Sequence, residues 1–104
     1  EVPVEVLGEV AGMVYFKEGS SLRGQGRITV NILDENGNLV KEILTEGDGY
    51  FTYLGLKPGN YTAEIDPVQM QKLDYTASEP IEFEIKIDEY GDIVDTLEFT
   101  VEAD

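Results

Sequence analysis

The sequence contains no cysteine and no histidine. Without cysteine the chain cannot form a disulfide or use a thiolate, and its redox compartment stays open. Without histidine it lacks the commonest general base, the commonest transition-metal ligand and the usual switch near neutral pH. These two absences remove most of the side-chain chemistry on which small enzymes and transition-metal sites depend.

Positive charge is also scarce. Seven lysine and arginine residues stand against 22 aspartate and glutamate residues, which gives a formal net charge of −15. Nucleic acids and anionic membrane surfaces are bound through clusters of lysine and arginine, so the composition excludes both classes of partner. An acidic surface of this kind favours solubility and attracts cations.

Long hydrophobic runs are absent too. No apolar run approaches the ~18 residues that cross a membrane, and no signal peptide is visible, so we expect no direct membrane insertion. The chain begins at Glu1 rather than methionine, which indicates a fragment of a longer protein. Its 104 residues, 41% of them hydrophobic, suit one modest core. We expect a linker or an N-terminal extension over residues 1–5 and one domain over residues 6–104.

The most informative stretch that is present covers residues 45–65, TEGDGYFTYLGLKPGNYTAEI. Asp48-Gly49 supplies a residue that accepts positive φ, and Pro58-Gly59 suits a turn with a fixed φ at its first central position. A segment with alternating apolar residues follows each turn, which is the period of a half-covered β-strand. The residues predicted to face the core are Phe51, Tyr53, Tyr61, Ala63 and Ile65.

The N-terminal half adds three predicted strands. Residues 6–17 carry apolar side chains on both faces, which suits a strand covered on part of each side. Residues 18–26 are polar and rich in glycine, so we expect a loop. Asn36-Gly37 is the strongest short hairpin signal in the chain. It separates a strand with Ile28, Val30 and Ile32 inward and Thr29 and Asn31 toward water from a return strand that allows two registers, with Leu39 and Ile43 or Val40 and Leu44 inward.

The C-terminal half adds a helix and two more strands. Asp66 can cap a helix with Pro67 at its first position, which predicts a short helix at 67–73. Residues 75–80 are expected to form an extended loop. The last two strands are predicted to face the core with Ile81, Phe83, Ile85 and Ile87, and with Ile93, Leu97, Phe99 and Val101. The whole pattern predicts an all-β fold, an antiparallel seven-stranded β-sandwich of the prealbumin-like or Ig-like kind with one short helix.

A longer pattern, T-x-x-D-G-x-F-x-F-x-x-L-x-P-G-x-Y, runs through the central stretch, with Tyr53 in place of the second phenylalanine. It resembles the prealbumin-like modules, namely the carboxypeptidase regulatory-like domains and the B-type repeats of bacterial surface proteins. The resemblance covers residues 6–65 and is carried by Thr45, Asp48, Gly49, Phe51, Tyr53, Leu56, Pro58, Gly59 and Tyr61.

The resemblance implies a function as well as a fold. Modules of this kind are mostly structural, so we expect a non-catalytic spacer or adhesion module of a secreted or cell-surface bacterial protein. Its location would be extracellular, at the cell surface or periplasmic, and its partners would be the neighbouring domains of a longer chain. An alternative is a module that binds an extracellular glycan, peptide or protein. Another is an accessory domain of a larger enzyme or outer-membrane protein.

Catalysis has no support in the sequence. A glycosidase needs two carboxylates across a cleft, but among 22 acidic residues some pair will satisfy almost any spacing. Domains of this size also offer little room for a deep cleft. We therefore predict no enzyme activity and no catalytic residue.

Calcium is the one cofactor that the sequence leaves open. Three acidic turns contain the candidate ligands Asp34, Asp48 and Asp88, although none follows the EF-hand spacing. The alternative is that aspartate is there because turns favour it. In the calcium-binding B-type repeats an Asp/Asn-rich segment stands where this chain has residues 17–21, with one carboxylate. The resemblance therefore does not imply a calcium site there.

Some B-type repeats also contain an isopeptide bond between a lysine on the first strand and an asparagine or aspartate on the last. Lys17 and Asp95 lie on suitable strands here. No asparagine follows Asn60, however, and Lys17 falls on the face opposite Val14 and Phe16, so the match to that arrangement is poor.

Three tyrosines outside the predicted core are candidates for ligand binding. Exposed tyrosine rings can stack on sugars or pack against a peptide. The ligand-binding alternative predicts that Tyr50, Tyr75 and Tyr90 come together on the surface, whereas the spacer hypothesis predicts that they are scattered.

Overall fold

A computed structural model describes residues 6–87 and 89–104 of the chain. These residues form two β-sheets and one short helix, which confirms the predicted β-sandwich. They contain nine strands, so the predicted count of seven is wrong. In chain order the elements are β1 (Gly8–Glu18), β2 (Ser21–Gly24), β3 (Thr29–Asp34), β4 (Leu39–Leu44), β5 (Tyr50–Leu56), β6 (Gly59–Ile65), α1 (Pro67–Leu73), β7 (Tyr75–Ala77), β8 (Ile81–Ile85) and β9 (Ile93–Ala103).

The two additional strands are β2 and β7, which lie in segments predicted to be loops. β2 folds back on the end of β1 around Gly19, which has a φ of +61°. β7 pairs with the end of β9. Both strands are short, and at most part of each is covered by the core. Such edge segments lack the apolar alternation that marks a strand in a sequence.

The strands divide between two sheets. In the first sheet the order is β2-β1-β9-β7, and β5 also pairs with β1, alongside the half that β2 leaves free. In the second sheet the order is β4-β3-β6-β8. All nine strands of the described residues take part in antiparallel pairs, but β1 and β9 run parallel to each other, so the prediction of an antiparallel sandwich is wrong for this pair. Alternation shows which face of a strand is buried but says nothing about the direction of its neighbour.

The core lies between the sheets and agrees with most of the predicted inward positions. Ile28, Val30 and Ile32 on and before β3 are buried, as are Phe51 on β5 and the three predicted residues of β6. Removing an aliphatic or aromatic side chain of this size from water stabilises the fold by ~1.5–3 kcal/mol. The largest fully buried side chains are Phe51, Phe99, Ile28, Ile32, Leu56, Ile85, Val10, Val14, Val30 and Val101.

Two residues predicted to face the core do not. Ile87 is 90% exposed because β8 ends at Ile85, and Ile93 is 62% exposed at the start of β9. The register of β9 against β1 shifts just beyond this point, between Val10 and Gly12. Only the part of β9 after the shift continues the alternation that buries Leu97, Phe99 and Val101.

β4 resolves the two registers that the sequence left open. Ile43 is buried, whereas Leu39, Val40 and Leu44 are exposed. The inward register is therefore the one that contains Ile43. Leu39 does not share it because the pairing with β3 shifts between Ile32 and Leu33, and β4 is the last strand of its sheet.

The helix forms at the predicted residues and for the predicted reasons. The Asp66 carboxylate accepts a hydrogen bond from the Val68 N–H at 3.2 Å, and Pro67 occupies the first turn. Gln69 ties the helix to the start of β3, because its Oε1 accepts from the Thr29 N–H at 2.8 Å. Thr29 and Asn31 are half-buried as a result rather than turned fully to water.

The helix contains seven residues. Among the residues that the structure describes, no helix is long and apolar enough to cross a membrane.

Candidate functional site

The motif of the central stretch begins with a buried threonine. The Thr45 side chain is 4% exposed, and its Oγ1 accepts a hydrogen bond from the Ile28 N–H at 2.9 Å. The same hydroxyl donates to the Gln25 carbonyl at 2.9 Å. Thr45 therefore fixes the segment between β2 and β3. Its role is structural, because the side chain is buried and bonded to the backbone.

Asp48 and Gly49 form the tight turn that leads into β5. Asp48 Oδ1 accepts from the Tyr50 N–H at 3.1 Å, and the Gly49 N–H donates to the Glu46 carbonyl at 2.8 Å. Gly49 is buried with a φ of +88°, and its carbonyl accepts from the Val14 N–H at 2.8 Å. This turn is packed so closely on β1 and β2 that a side chain at Gly49 would overlap the Val14 carbonyl.

The end of the motif is structural too. The Tyr61 hydroxyl donates to the Lys57 carbonyl at 2.6 Å, which closes the turn between β5 and β6. The Tyr61 ring stacks on Phe83 with their centroids 5.6 Å apart. Each of these motif residues thus serves a turn or the core, and the motif specifies a fold rather than a ligand.

Two of the calcium candidates, Asp34 and Asp48, lie in different turns and already have hydrogen-bond partners. Asp34 Oδ1 accepts from the N–H groups of Asn36 and Asn38, both at 2.9 Å, in the hairpin of the second sheet. Asp48 serves the turn that packs on the first sheet. Asp88 lies outside the described residues. Within residues 6–87 and 89–104, no group of three or more carboxylates is arranged to hold a metal ion.

The structure keeps Lys17 and Asp95 apart. The pairing of Phe16 with Val101 places Lys17 beside Glu102, near the end of β9, whereas Asp95 follows the partner of Val10 near its start. Both side chains are exposed, as are all the other lysines of the chain. An isopeptide bond between these two residues would require β1 and β9 to change register by several residues.

The three candidate tyrosines do not form a cluster. Tyr50 lies on β5 opposite Met13, and Tyr75 lies on β7 opposite Ala103, with two strands between them. Tyr75 also packs edge to face on Phe16, with a centroid distance of 5.4 Å. Tyr90 is highly exposed and precedes β9, whereas Tyr75 flanks the end of that strand. An eleven-residue strand is about 35 Å long, so one ligand could not contact all three rings.

A cleft that the sequence did not suggest opens on the second sheet. It has a volume of about 590 Å³ and is shallow and open to solvent. Glu82, Phe83 and Glu84 of β8 all line it. The lining includes four carboxylates and no lysine or arginine, and is formed by Leu33, Asp34, Glu35, Gly37, Asn60, Tyr61, Thr62, Glu82, Phe83 and Glu84. Such a surface attracts cations without fixing their geometry.

Comparison with known proteins tests the resemblance to the B-type repeats of bacterial surface proteins. No protein-family profile matches the chain. A stretch of 42 residues, 40% of the chain, is 40% identical to part of the serine-aspartate repeat-containing protein D of Staphylococcus aureus. The matched stretch spans 3% of the length of that relative.

Solved structures share the fold over almost the whole chain. GBS52, the minor pilin of Streptococcus agalactiae, superposes on 93% of this chain and 45% of its own with a TM-score of 0.66 and 15% identity. The major pilin SpaD of Corynebacterium diphtheriae superposes on 96% of this chain and 31% of its own with a TM-score of 0.63 and 16% identity. The chain thus resembles the B-type repeats of bacterial surface proteins over part of its sequence, and it shares the β-sandwich fold of pilin subunits over nearly all of its length.

Proposed function

We propose that this chain is a non-catalytic structural module, a spacer or adhesion domain, of a secreted or cell-surface bacterial protein. Residues 6–104 form the domain and residues 1–5 link it to a neighbouring domain of a longer chain. The observation that carries the proposal is the parallel pairing of β1 with β9, the first and last strands of the described residues.

This pairing separates the two points at which the chain meets its neighbours. Because the strands are parallel, the polypeptide arrives beside Gly8 and leaves beside Ala103 at the opposite end of the sheet. Each strand contains 11 residues, which corresponds to about 35 Å. A domain built in this way holds its two neighbours apart along the strand direction.

The same pairing suits a chain under tension. A pull on the two ends of the domain slides β1 and β9 past each other, so their hydrogen bonds are loaded together rather than one after another. The strands are also joined through the core, since Val14 and Phe99 are register partners and neither is exposed. With no cysteine, this resistance does not depend on a disulfide.

The proposal is also supported by the kinds of protein to which the chain is similar. The similar sequence belongs to a serine-aspartate repeat-containing protein, and the similar folds belong to pilins, each a longer chain. The separation of Tyr50, Tyr75 and Tyr90 supports a spacer over a module that binds a glycan or peptide through those rings.

Single-molecule pulling tests the proposal, and the absence of native cysteine allows handles at chosen residues. One pair of handles is placed at residue 6 and residue 104, which loads β1 and β9 in shear. The control pair places one handle at Ser20→Cys and the other at residue 104. These two positions lie at the same end of the sheet, so a pull on them loads the hydrogen bonds between β1 and β9 one after another. We expect at least a twofold higher unfolding force for the first pair. Equal forces would contradict a role in bearing load.

A further inference from the structure

The turn between β3 and β4 carries the one Asn-Gly pair of the sequence. Asn36 and Gly37 are both exposed at the tip of this hairpin. Gly37 has a φ of +82°, and a Cβ placed on it would meet nothing within 4 Å. Because glycine has no side chain, the backbone nitrogen of Gly37 is not shielded by its own residue. The tip therefore has room for a change in covalent structure.

An exposed Asn-Gly pair can undergo deamidation without any other protein. The backbone nitrogen of Gly37 loses its proton to solvent and attacks Cγ of the Asn36 side chain. A new N–C bond forms, the bond from Cγ to the amide nitrogen breaks, and that nitrogen leaves as ammonia with a proton from solvent. Water then opens the resulting succinimide ring at either carbonyl carbon, which gives aspartate or isoaspartate. One water is consumed and one ammonia released, and nothing is oxidised or reduced.

The other asparagines of the chain are less suited to this reaction. Each is followed by a bulky residue whose side chain crowds the attacking nitrogen, and two of the three lie within paired strands. The three pairs are Asn31-Ile32 on β3, Asn38-Leu39 before β4 and Asn60-Tyr61 on β6.

Asp48-Gly49 offers the same ring with loss of water instead of ammonia, but the structure closes this site. Gly49 is buried, and a Cβ on it would overlap the Val14 carbonyl. Its N–H also donates to the Glu46 carbonyl at 2.8 Å. The sequence thus contains two candidate sites of one kind, and packing leaves the hairpin tip as the accessible one.

Asp34 holds the peptide groups that must move in the reaction. Its Oδ1 accepts hydrogen bonds from the N–H groups of Asn36 and Asn38, both at 2.9 Å. Its backbone carbonyl accepts from the Gly37 N–H at 3.0 Å. The nitrogen of Gly37 cannot attack while it is bonded in this way, so the reaction requires a local opening of the turn. The hydrogen bonds to Asp34 make that opening rarer.

We infer that Asn36 is a site of spontaneous deamidation in the folded domain, and that the Asp34 side chain limits its rate. The inference is independent of the proposed function, and it gives Asp34 a role other than that of a calcium ligand. Both products add one negative charge beside Asp34 and Glu35, in the acidic lining of the cleft. Isoaspartate also lengthens the backbone by one methylene and so displaces the N–H groups that Asp34 binds.

Peptide mapping by mass spectrometry tests the inference on the chain as it is. The folded chain is kept at mildly alkaline pH, below its thermal midpoint, and the conversion of each asparagine is followed with time. We expect Asn36 to convert first and to yield isoaspartate, because direct hydrolysis of the side-chain amide gives aspartate alone. In urea, where the turn is open, Asn36 should convert at least fivefold faster. Isoaspartate at residue 48 should form in urea and not in the folded chain.

Two substitutions test the role of Asp34. Asp34→Ala removes the acceptor for the Asn36 and Asn38 N–H groups and should raise the rate of Asn36 conversion in the folded chain at least threefold. Asp34→Asn keeps a side-chain oxygen at the same place and is the matched control, whose rate should stay within about twofold of the original. Circular dichroism checks that both variants keep the sheets.

Four results would overturn the inference. Conversion of another asparagine before Asn36, or a product without isoaspartate, would remove Asn36 as the site. Equal rates in the folded and the urea-unfolded chain would show that the turn gives no protection. A rate unchanged by Asp34→Ala would show that the protection does not come from the Asp34 side chain.

Discussion

The hydroxyl of Thr45 accepts a buried hydrogen bond from the backbone N–H of Ile28 at a distance of 2.9 Å. The two residues lie 17 positions apart, Thr45 directly after β4 and Ile28 directly before β3. Because the same hydroxyl donates to Gln25, one side chain satisfies two backbone groups of a segment with no regular structure. This explains physically why the motif of the central stretch begins with threonine.

Replacement of the threonine by its isostere should be costly. Thr45→Val keeps the shape of the side chain but leaves the Ile28 N–H and the Gln25 carbonyl without their partner. An unsatisfied buried polar group costs ~1–3 kcal/mol, so we expect the free energy of unfolding to fall by about that amount. Urea denaturation measures it. Thr52→Val on the exposed face of β5 is the matched control and should change stability by less than ~0.5 kcal/mol. Equal effects of the two substitutions would contradict this account.

A methyl group at Gly24 should be poorly tolerated. A Cβ at this position would overlap the backbone carbonyl of Asp48, which cannot move without disturbing the turn into β5. Gly24→Ala should therefore lower the free energy of unfolding by ~1–3 kcal/mol. Gly47→Ala provides the comparison, because a Cβ there meets nothing within 4 Å. It should leave the thermal midpoint unchanged or raise it slightly, and a loss as large as that of Gly24→Ala would show that steric overlap is not the cause.

The cap of the helix offers a third test. Asp66→Ala removes the acceptor for the Val68 N–H and should destabilise the domain by ~1 kcal/mol, the usual effect of losing such a cap. Asp66→Asn retains a side-chain oxygen at the same place and should recover most of the loss. If Asn and Ala behave alike in thermal unfolding, the contribution of Asp66 comes from its charge and not from the cap.

Calcium should have no specific effect on stability. The carboxylates of Asp34 and Asp48 are held by backbone N–H groups of their own turns, in different sheets of the sandwich. On a chain of charge −15, Ca²⁺ and Mg²⁺ at equal concentration should raise the thermal midpoint equally by screening. A ligand at a hundredfold excess over its Kd stabilises the fold by about 2.7 kcal/mol. A rise of several degrees with Ca²⁺ alone would therefore establish a site, and Asp88 would be the first residue to substitute.

Local chemistry made much of the fold predictable. Asp66 and Pro67 mark the helix because a cap and a fixed φ act on the next few residues. Ile28, Val30 and Ile32 mark a buried strand because alternation is a property of the strand itself. Ile87 and Ile93 were assigned wrongly because alternation does not show where a strand ends or where its register shifts.

The functional surface was less predictable than the fold. The parallel pairing of β1 with β9 depends on how the chain crosses between sheets, which no short stretch of sequence encodes. Tyr50, Tyr75 and Tyr90 looked equivalent in sequence, and only the sheet order shows how far apart they lie. Leu54 and Ile93 come to lie on either side of one residue only because both are register partners of Glu9.

The parallel pair also determines when the domain can complete its folding. Glu9 and Ile93 are register partners about eighty residues apart, and contacts between such distant residues slow folding because a long loop must close first. While the chain is being made, β1 therefore has one edge without its final partner until almost the whole domain has emerged. We expect the domain to fold late and as a unit, with little native structure in any fragment that ends before β9.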